Sequence, residues 1–316
     1  MKERVVVGID TSNYTTSYAI VTESGELVAN LKRPLPVRAG ERGLRQSDAV
    51  FSHIKNLPEL AAEARAYLAN CEIIAVGVSA KPRNVDGSYM PCFLSGVAVA
   101  ENLASALRVP IYRFSHQCGH IMAALFSSGR YDLLCGPFAA YHVSGGTTEL
   151  LRVSWSKGEF DAELVGGTAD LNAGQVIDRL GVHMGLPFPS GKYIEALALA
   201  NEQKIPSRKP TVRGMSANLS GLENLAIKLY AESESKELVS AFVLDYIGRS
   251  LEMTCDAFIS EYGEVPFVFA GGVMCNSIIK KRLSAKFNSA FAAPEMSADN
   301  AVGIAELTRR SHLQNV

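Results

Sequence analysis

A chain of 316 residues with one tryptophan has little net charge, 31 Lys and Arg against 32 Asp and Glu. That balance excludes a global polyelectrolyte mode of nucleic-acid binding; any such contact needs a local basic patch or a partner subunit. The six cysteines (Cys71, Cys92, Cys118, Cys135, Cys255 and Cys275) include no CxxC pair. They read as reduced thiols and exclude both a disulfide framework and a cysteine zinc site. No uncharged apolar stretch reaches the ~18 residues of a membrane span. The opening apolar run Val5 to Ile9 is stopped by Asp10, too early for a signal peptide. The expectation is a soluble, cytoplasmic protein with no membrane partner. Charged residues make up 20% and hydrophobic residues 47%, so disorder is excluded and a sizeable core is available.

What is present is an α/β pattern. Val5 to Ile9 has the continuous apolar character of a strand buried on both faces, and Ser17 to Val21 and Leu27 to Leu31 continue a meander. A helix is predicted from Ser47 to Ala69, a strand from Ile73 to Val78, and an Ala-rich helix from Leu94 to Leu107. After a short strand at Ile111 to Phe114, Ser115 is placed to cap a helix carrying His116 and His120. The pattern then restarts: strand Phe138 to Val143, turn Ser144-Gly145-Gly146-Thr147, strand Glu149 to Val153 and strand Glu163 to Val165. Four helices follow between Ala173 and Tyr262, then strand Pro266 to Ala270, helix Met274 to Leu283, a last strand at Ser289 to Ala293, and a terminal helix with Asp299 at its start. A strand–polar turn–strand unit therefore occurs twice, 134 residues apart from Asp10 to Ser144. Two such halves are expected to face each other across a cleft floored by the two turns, which offer backbone N–H groups and hydroxyls to phosphate.

Three constellations carry chemistry. His116 and His120, at i and i+4, share one helix face and are close enough for a common metal ion; the plain alternative is two unrelated helix histidines. The HExxH base of a zincin would fall at Gln117, which cannot accept a proton from water, so metalloprotease chemistry is excluded. Cys118 lies ~200° round the helix from His116 and reads as a small buried residue. Ser144 to Thr148 is a glycine turn that lets phosphate approach the backbone. Gly271-Gly272-Val273-Met274-Cys275-Asn276 follows a strand and opens a helix, which suits a base or ribose lying against it. Asp10 reads as a turn residue or a ligand near a metal, and Ser297 to Asn300 as an N-cap cluster.

Taken in order, the stretches GIDTS (Gly8 to Ser12), HIKNLPEL (His53 to Leu60), SHQCGH (Ser115 to His120), VSGGTTEL (Val143 to Leu150), AGQVIDRLGVHMGLPFPSG (Ala173 to Gly191), LSGL (Leu219 to Leu222), GGVMCN (Gly271 to Asn276) and ADNAVGIA (Ala298 to Ala305) resemble the tRNA threonylcarbamoyl transferases, the TsaD family. The resemblance spans roughly Val5 to Ala305. It implies a duplicated actin-like (ASKHA) two-lobe fold with the nucleotide between lobes. We divide the chain on that basis into residues 1–115 and 116–316, with a helical insertion at about 173–235. It further implies one divalent ion, iron or zinc, on His116, His120 and Asp299. ATP, ADP or threonylcarbamoyl-AMP would lie on Ser144, Gly145, Gly146, Thr147, Gly271 and Gly272, with Asp178 and Gly191 lining the ribose and adenine region, Asn276 on the base side and Glu195 near the ribose. Asp10 and Ser12 become the candidate catalytic pair. Implied partners are tRNA, for which Lys32, Arg33, Arg38, Arg42 and Arg45 form a candidate basic loop, and TsaB-like and TsaE-like subunits or a second copy.

The sequence also departs from the family. Its usual ETSCDET opening is Asp10-Thr11-Ser12-Asn13-Tyr14-Thr15-Thr16 here, so Tyr14 and Thr15 replace an acidic pair. Thr147 stands for the histidine of SGGHT, Glu223 for the lysine of SGLKT, and Lys81 to Gly87 is unlike the usual glycine-rich stretch. These changes suit a divergent paralog that keeps the ligand site and alters the reaction or the acceptor: carbamoyl transfer or nucleotide hydrolysis with another acceptor, or a non-catalytic nucleotide-binding subunit.

Overall fold

Strand β1 (Glu3–Thr11) is apolar on both faces because it runs through the middle of a sheet. In the computed structural model, which describes residues 2–36, 44–297 and 299–315, β1 pairs antiparallel with β2 (Thr15–Thr22), and β2 with β3 (Leu27–Pro34). Helix α1 (Gln46–Tyr67) leads to β4 (Cys71–Lys81), which joins β1 in parallel, and α2 (Phe93–Leu107) to β5 (Ile111–Ser115), parallel to β4. The sheet order is β3-β2-β1-β4-β5. One face carries Val5, Val7, Ile9, Val76 and Val78, buried against Leu57, Leu60 and Ala64 of α1 and Ala100 and Ala104 of α2. Each of the larger side chains there contributes about 1.5–3 kcal/mol by leaving water. Helix α3 (His116–Ser128) follows directly on β5, with Ser115 Oγ accepting from Cys118 N at 3.2 Å.

The chain then builds a second unit. Strands β6 (Phe138–Val143), β7 (Thr148–Ser156) and β8 (Glu159–Thr168) precede α4 (Ala173–His183), α5 (Gly191–Leu199), the short strands β9 (Thr211–Arg213) and β10 (Ser216–Asn218), α6 (Ser220–Ser233) and the 27-residue α7 (Lys236–Tyr262). Strand β11 (Phe267–Ala270), α8 (Ser277–Ser284), β12 (Ser289–Phe291) and α9 (Pro294–Ser297) complete it, and the chain returns to the first unit in α10 (Val302–Asn315). The second sheet has the order β12-β11-β6-β7-β8-β10-β9. Its segment β8-β7-β6-β11-β12 repeats β3-β2-β1-β4-β5, with antiparallel β6–β7 and parallel β6–β11 and β11–β12 pairs in the same places. The duplication read from the two turns is thus present strand for strand. The β9–β10 hairpin extends the second sheet beyond the repeat and was not foreseen.

The first compact unit comprises residues 1–135, 154–162 and 298–316, the second 136–153 and 163–297. Helix α3 lies in the first, on the far side of the 115/116 division drawn from sequence, because it packs on α10. The expected helix Met274 to Leu283 is a 3₁₀ turn over Gly272–Cys275 and then α8, since the side chain of Asn276 caps the helix by accepting from Ile278 N and Ile279 N. Asp299 lies just ahead of α10 instead of within it, and Asn300 Oδ1 caps the helix at Val302 N (3.0 Å). Among the described residues, no helix is long and apolar enough to cross a membrane.

Helix α10 is buried all round at its start, from Ala301 to Thr308. It can lie there because glycines stand at its closest approaches to the sheet and to α3. Gly8 and Gly77 are cross-strand partners on one face of the sheet. A Cβ on Gly8 would meet Ala305 N at 2.5 Å and Ala301 O at 2.6 Å, and one on Gly77 would overlap Thr308. On its other side, a Cβ on Gly303 would overlap the carbonyl oxygen of Gly119 in α3, and one on Gly119 would press on Ile304. The buried carboxylate of Glu306 is neutralised by Arg309 (2.7 Å) and Arg310 (2.5 Å). Gly303→Ala should therefore force α3 and α10 apart and lower unfolding stability by about 3 kcal/mol, read by urea denaturation. A loss under about 0.5 kcal/mol would show that the crossing is looser than described.

Candidate metal centre and glycine turns

The crossing of α3 and α10 places three donor atoms together. His116 and His120, one turn apart on α3, set their Nε2 atoms 3.0 Å apart. Asp299 Oδ1 lies 3.5 Å from each of them. An ion bound tetrahedrally at ~2.1 Å spaces its ligand atoms ~3.4 Å apart, so the triangle and its N, N, O donor set fit one divalent ion of the zinc or iron kind. All three ligand atoms fall within 4.8 Å of one another. Cys118 points elsewhere and is buried, as its place on the helix predicts.

Behind the triangle stands Asp10, fully buried at the end of β1. Its Oδ2 is 2.6 Å from Nδ1 of His116, and its Oδ1 accepts from Ser12 N at 2.8 Å. A carboxylate on Nδ1 fixes that proton and turns the Nε2 lone pair toward the triangle, the arrangement that orients histidine ligands generally. Burial works against a charged His116, but Asp10 and then Asp299 outweigh it and push the group up to about 10. Burial and the neighbouring His116 push His120 down instead. Burial would raise Asp299, yet hydrogen bonds to His116 and His120 hold its carboxyl well below the usual carboxylate range. The cluster is therefore built around negative charge that attracts a cation.

Two further residues shape this end of the sheet. His53 belongs to the HIKNLPEL stretch of α1. It is fully buried, its Nδ1 2.8 Å from Thr16 Oγ1, and Asn56 Nδ2 donates to the same hydroxyl at 3.1 Å. Burial pushes its pKa down, while the Ser12 backbone, Asp10 and Asp299 pull it up. Its signal in sequence was a lone histidine on the apolar face of a helix. The Ser12 hydroxyl is buried and has no hydrogen-bond partner among the described residues. Tyr14, where the family has an acid, is 43% exposed.

In the second unit the remaining predicted residues form one connected set. The turn after β6 is closed by Ser144 N donating to Thr147 O at 2.7 Å, and Ser144 Oγ accepts from Thr147 N at 3.1 Å. Gly145 and Gly146 are exposed. The first turn of α4 abuts this loop: a Cβ on Gly174 would strike Gly145 N at 2.6 Å, and Ala173 N donates to Thr148 Oγ1 at 3.0 Å. Asp178, further along α4, accepts from Ser190 N at 2.7 Å, which ties it to the entrance of α5 at Gly191, and its Oδ2 faces Gly145. Burial raises the Asp178 carboxyl despite that hydrogen bond. Glu195 Oε1 accepts from Ser277 N at 2.7 Å and from the Ser277 hydroxyl, beside Asn276. Gly271 has φ of +96° and lies so close to β6 that a Cβ would overlap Val143 O. The departures are accommodated locally. Glu223 pairs with Arg179 at 3.1 Å, so its reversed charge is neutralised, and Lys81 to Gly87 is held by Gln117 N donating to Pro82 O at 3.0 Å. Of the basic loop, Arg33 is paired with Glu63 (2.7 Å), Arg45 precedes α1, Lys32 lies on β3, and Arg38 and Arg42 lie outside the described residues.

Two β-meander units with repeated sheet order define a duplicated α/β fold of the actin-like class. The dehydratase component A for (R)-2-hydroxyglutaryl-CoA from Acidaminococcus fermentans shares that fold, with a TM-score of 0.55 at 13% identity over 98% of this chain and 99% of that one. Residues 40–306 match the model of the TsaD family, tRNA N6-adenosine threonylcarbamoyltransferase, and the chain belongs to that family. A tRNA N6-adenosine threonylcarbamoyltransferase of Streptococcus suis is 28% identical over 297 residues, 90% of this chain and 85% of that protein. Another, from Methanopyrus kandleri, is 26% identical over 307 residues, 95% of this chain and 86% of that protein.

Removing the carboxylate behind His116 tests the role given to Asp10. Asp10→Ala should weaken divalent-metal affinity about 10- to 100-fold in a calorimetric titration while leaving the far-UV spectrum unchanged. Unchanged affinity would mean that His116 is oriented by its own packing.

Proposed function

We propose that this chain transfers a threonylcarbamoyl group from threonylcarbamoyl-AMP to the exocyclic amine of the adenosine 3′ of the anticodon in tRNA. The observation that carries the reading is the His116–His120–Asp299 triangle with Asp10 behind it, in a chain of this family. In the reaction the amine nitrogen attacks the carbamoyl carbon, the bond from that carbon to the phosphate oxygen breaks, AMP leaves, and the amine gives up a proton. His116, His120 and Asp299 would hold the divalent ion, iron or zinc, which when bound supplies a Lewis acid for the anionic end of the adenylate.

The protein groups do the rest by positioning. Asp10 keeps the His116 Nδ1 proton in place, and the Ser12 hydroxyl, without a partner among the described residues, would take a substrate oxygen. In the second unit, Gly145 and Gly146 would admit phosphate to the backbone, helped by the Ser144 and Thr147 hydroxyls, with Gly271 and Gly272 on the base side. Asp178 and Gly191 would line the ribose and adenine. Glu195 has Oε1 committed to Ser277, which leaves Oε2 for a ribose hydroxyl, and Asn276, its oxygen spent on the helix cap, would meet the base through its amide nitrogen. An exocyclic amine is a weak nucleophile, so orientation should supply much of the acceleration. A cytoplasmic location follows from tRNA as acceptor.

A second reading is favoured by one observation: Tyr14, Thr15 and Thr147 stand where the family has two carboxylates and an imidazole. Under it the same scaffold carries the group to a different acceptor, hydrolyses a nucleotide, or binds one for a partner subunit. Metal-loaded protein mixed with threonylcarbamoyl-AMP and ANN-decoding tRNA, with TsaB-like and TsaE-like subunits in one arm, separates these readings by mass spectrometry of nucleosides and nucleotides. The proposal predicts modified adenosine that falls at least ~100-fold in His116→Ala. AMP release without modified tRNA would establish another acceptor, and untouched adenylate a binding role.

A further inference from the structure

We propose that the segment Lys204 to Arg213, with the cleft beside it on α7 and α8, is a contact surface for the phosphate backbone of RNA. A chain with a net charge of −1 has no long-range attraction for a polyanion, so recognition must come from a local excess of cations. The stretch from Gln203 to Leu222 holds Lys204, Arg208, Lys209 and Arg213 and not one Asp or Glu. All four side chains are exposed, and none makes an ion pair among the described residues. That sets them apart from Arg33, Arg113, Arg179 and Arg309, each matched to a carboxylate.

The backbone beneath these cations is fixed. Thr211 N donates to the Tyr246 hydroxyl of α7 at 3.1 Å, Arg249 donates to the carbonyl of Arg208, and β9 pairs with β10. Pro206 and Pro210 stiffen the same stretch. Little ordering is then lost when a strand docks. Beside it opens a cleft of about 280 Å³ lined by Ser207, Lys209, Arg249, Glu252 and Arg282. Arg249 and Arg282 share Asp245 at 2.9 and 2.6 Å, and Arg282 also pairs with Glu252 at 3.2 Å, so both guanidinium groups are held in place. Planar donors held in this way suit phosphate oxygens. An anionic membrane would require an apolar face next to the cations, whereas the exposed side chains from Glu202 to Lys209 are all polar or charged. The surface differs from the Lys32–Arg45 loop expected from sequence. It rests on the reading of tRNA as acceptor.

The test is fluorescence anisotropy of labelled tRNA with the metal-loaded full chain across a salt series. The variant Lys204→Gln/Arg208→Gln/Lys209→Gln/Arg213→Gln should bind at least ~10-fold more weakly, with the slope of log K against log salt shallower by about 2–4. Metal content should be unchanged. A control, Lys55→Gln/Arg65→Gln/Arg108→Gln/Lys157→Gln, removes as many exposed cations from the first unit. Equal losses in both variants would overturn the surface by showing that only total charge matters. Parental affinity in the first variant, with modified adenosine still formed, would overturn the surface and leave the acceptor reading intact. No tRNA binding by the unaltered chain, with or without added subunits, would overturn both.

Discussion

Backbone meets backbone where α3 crosses α10, at Gly119 and Gly303, and the candidate metal centre depends on that contact. The two histidines belong to one helix and Asp299 to the turn that leads into the other, so their separation is set by how closely the helices approach. The same helix lies on Gly8 and Gly77 of the sheet, with Gly8 two residues from Asp10 on β1. Four glycines therefore hold one small helix in a slot that side chains would fill. The energetic cost of a buried, crowded helix is offset by apolar burial and by the Glu306–Arg309–Arg310 cluster at its exit.

Much of this was legible in the sequence, for physical reasons that differ by element. Buried strands such as Val5 to Ile9 announce themselves by continuous apolar character, and the two polar turns marked the duplication that the sheet orders repeat. The i, i+4 histidines were visible because helix periodicity is local. Asp299 was not: it is nearly 180 residues away, and only the family resemblance linked it to them. The Asp10–His116 hydrogen bond and the contact of His53 with Thr16 were hidden for the same reason, since both are made by packing. Helix starts were misplaced where a side chain takes over a backbone role, as Asn276 does for α8 and Asn300 for α10.

The departures from the family divide into two kinds. Glu223 is a compensated change, because Arg179 meets it and the pair removes net charge from that surface. Tyr14, Thr15 and Thr147 replace two carboxylates and an imidazole, while His116, His120, Asp299 and Asp10 are all present. Under the proposed function, these replacements would favour binding and orienting an anionic ligand over moving protons.

X-ray absorption spectroscopy of the protein loaded with one equivalent of zinc tests the central claim most directly. The account predicts a first shell of nitrogen and oxygen at ~2.0–2.2 Å with the multiple-scattering signature of two imidazoles, reduced to one imidazole in His120→Ala. A shell containing sulfur at ~2.3 Å, or one without histidine scattering, would contradict it.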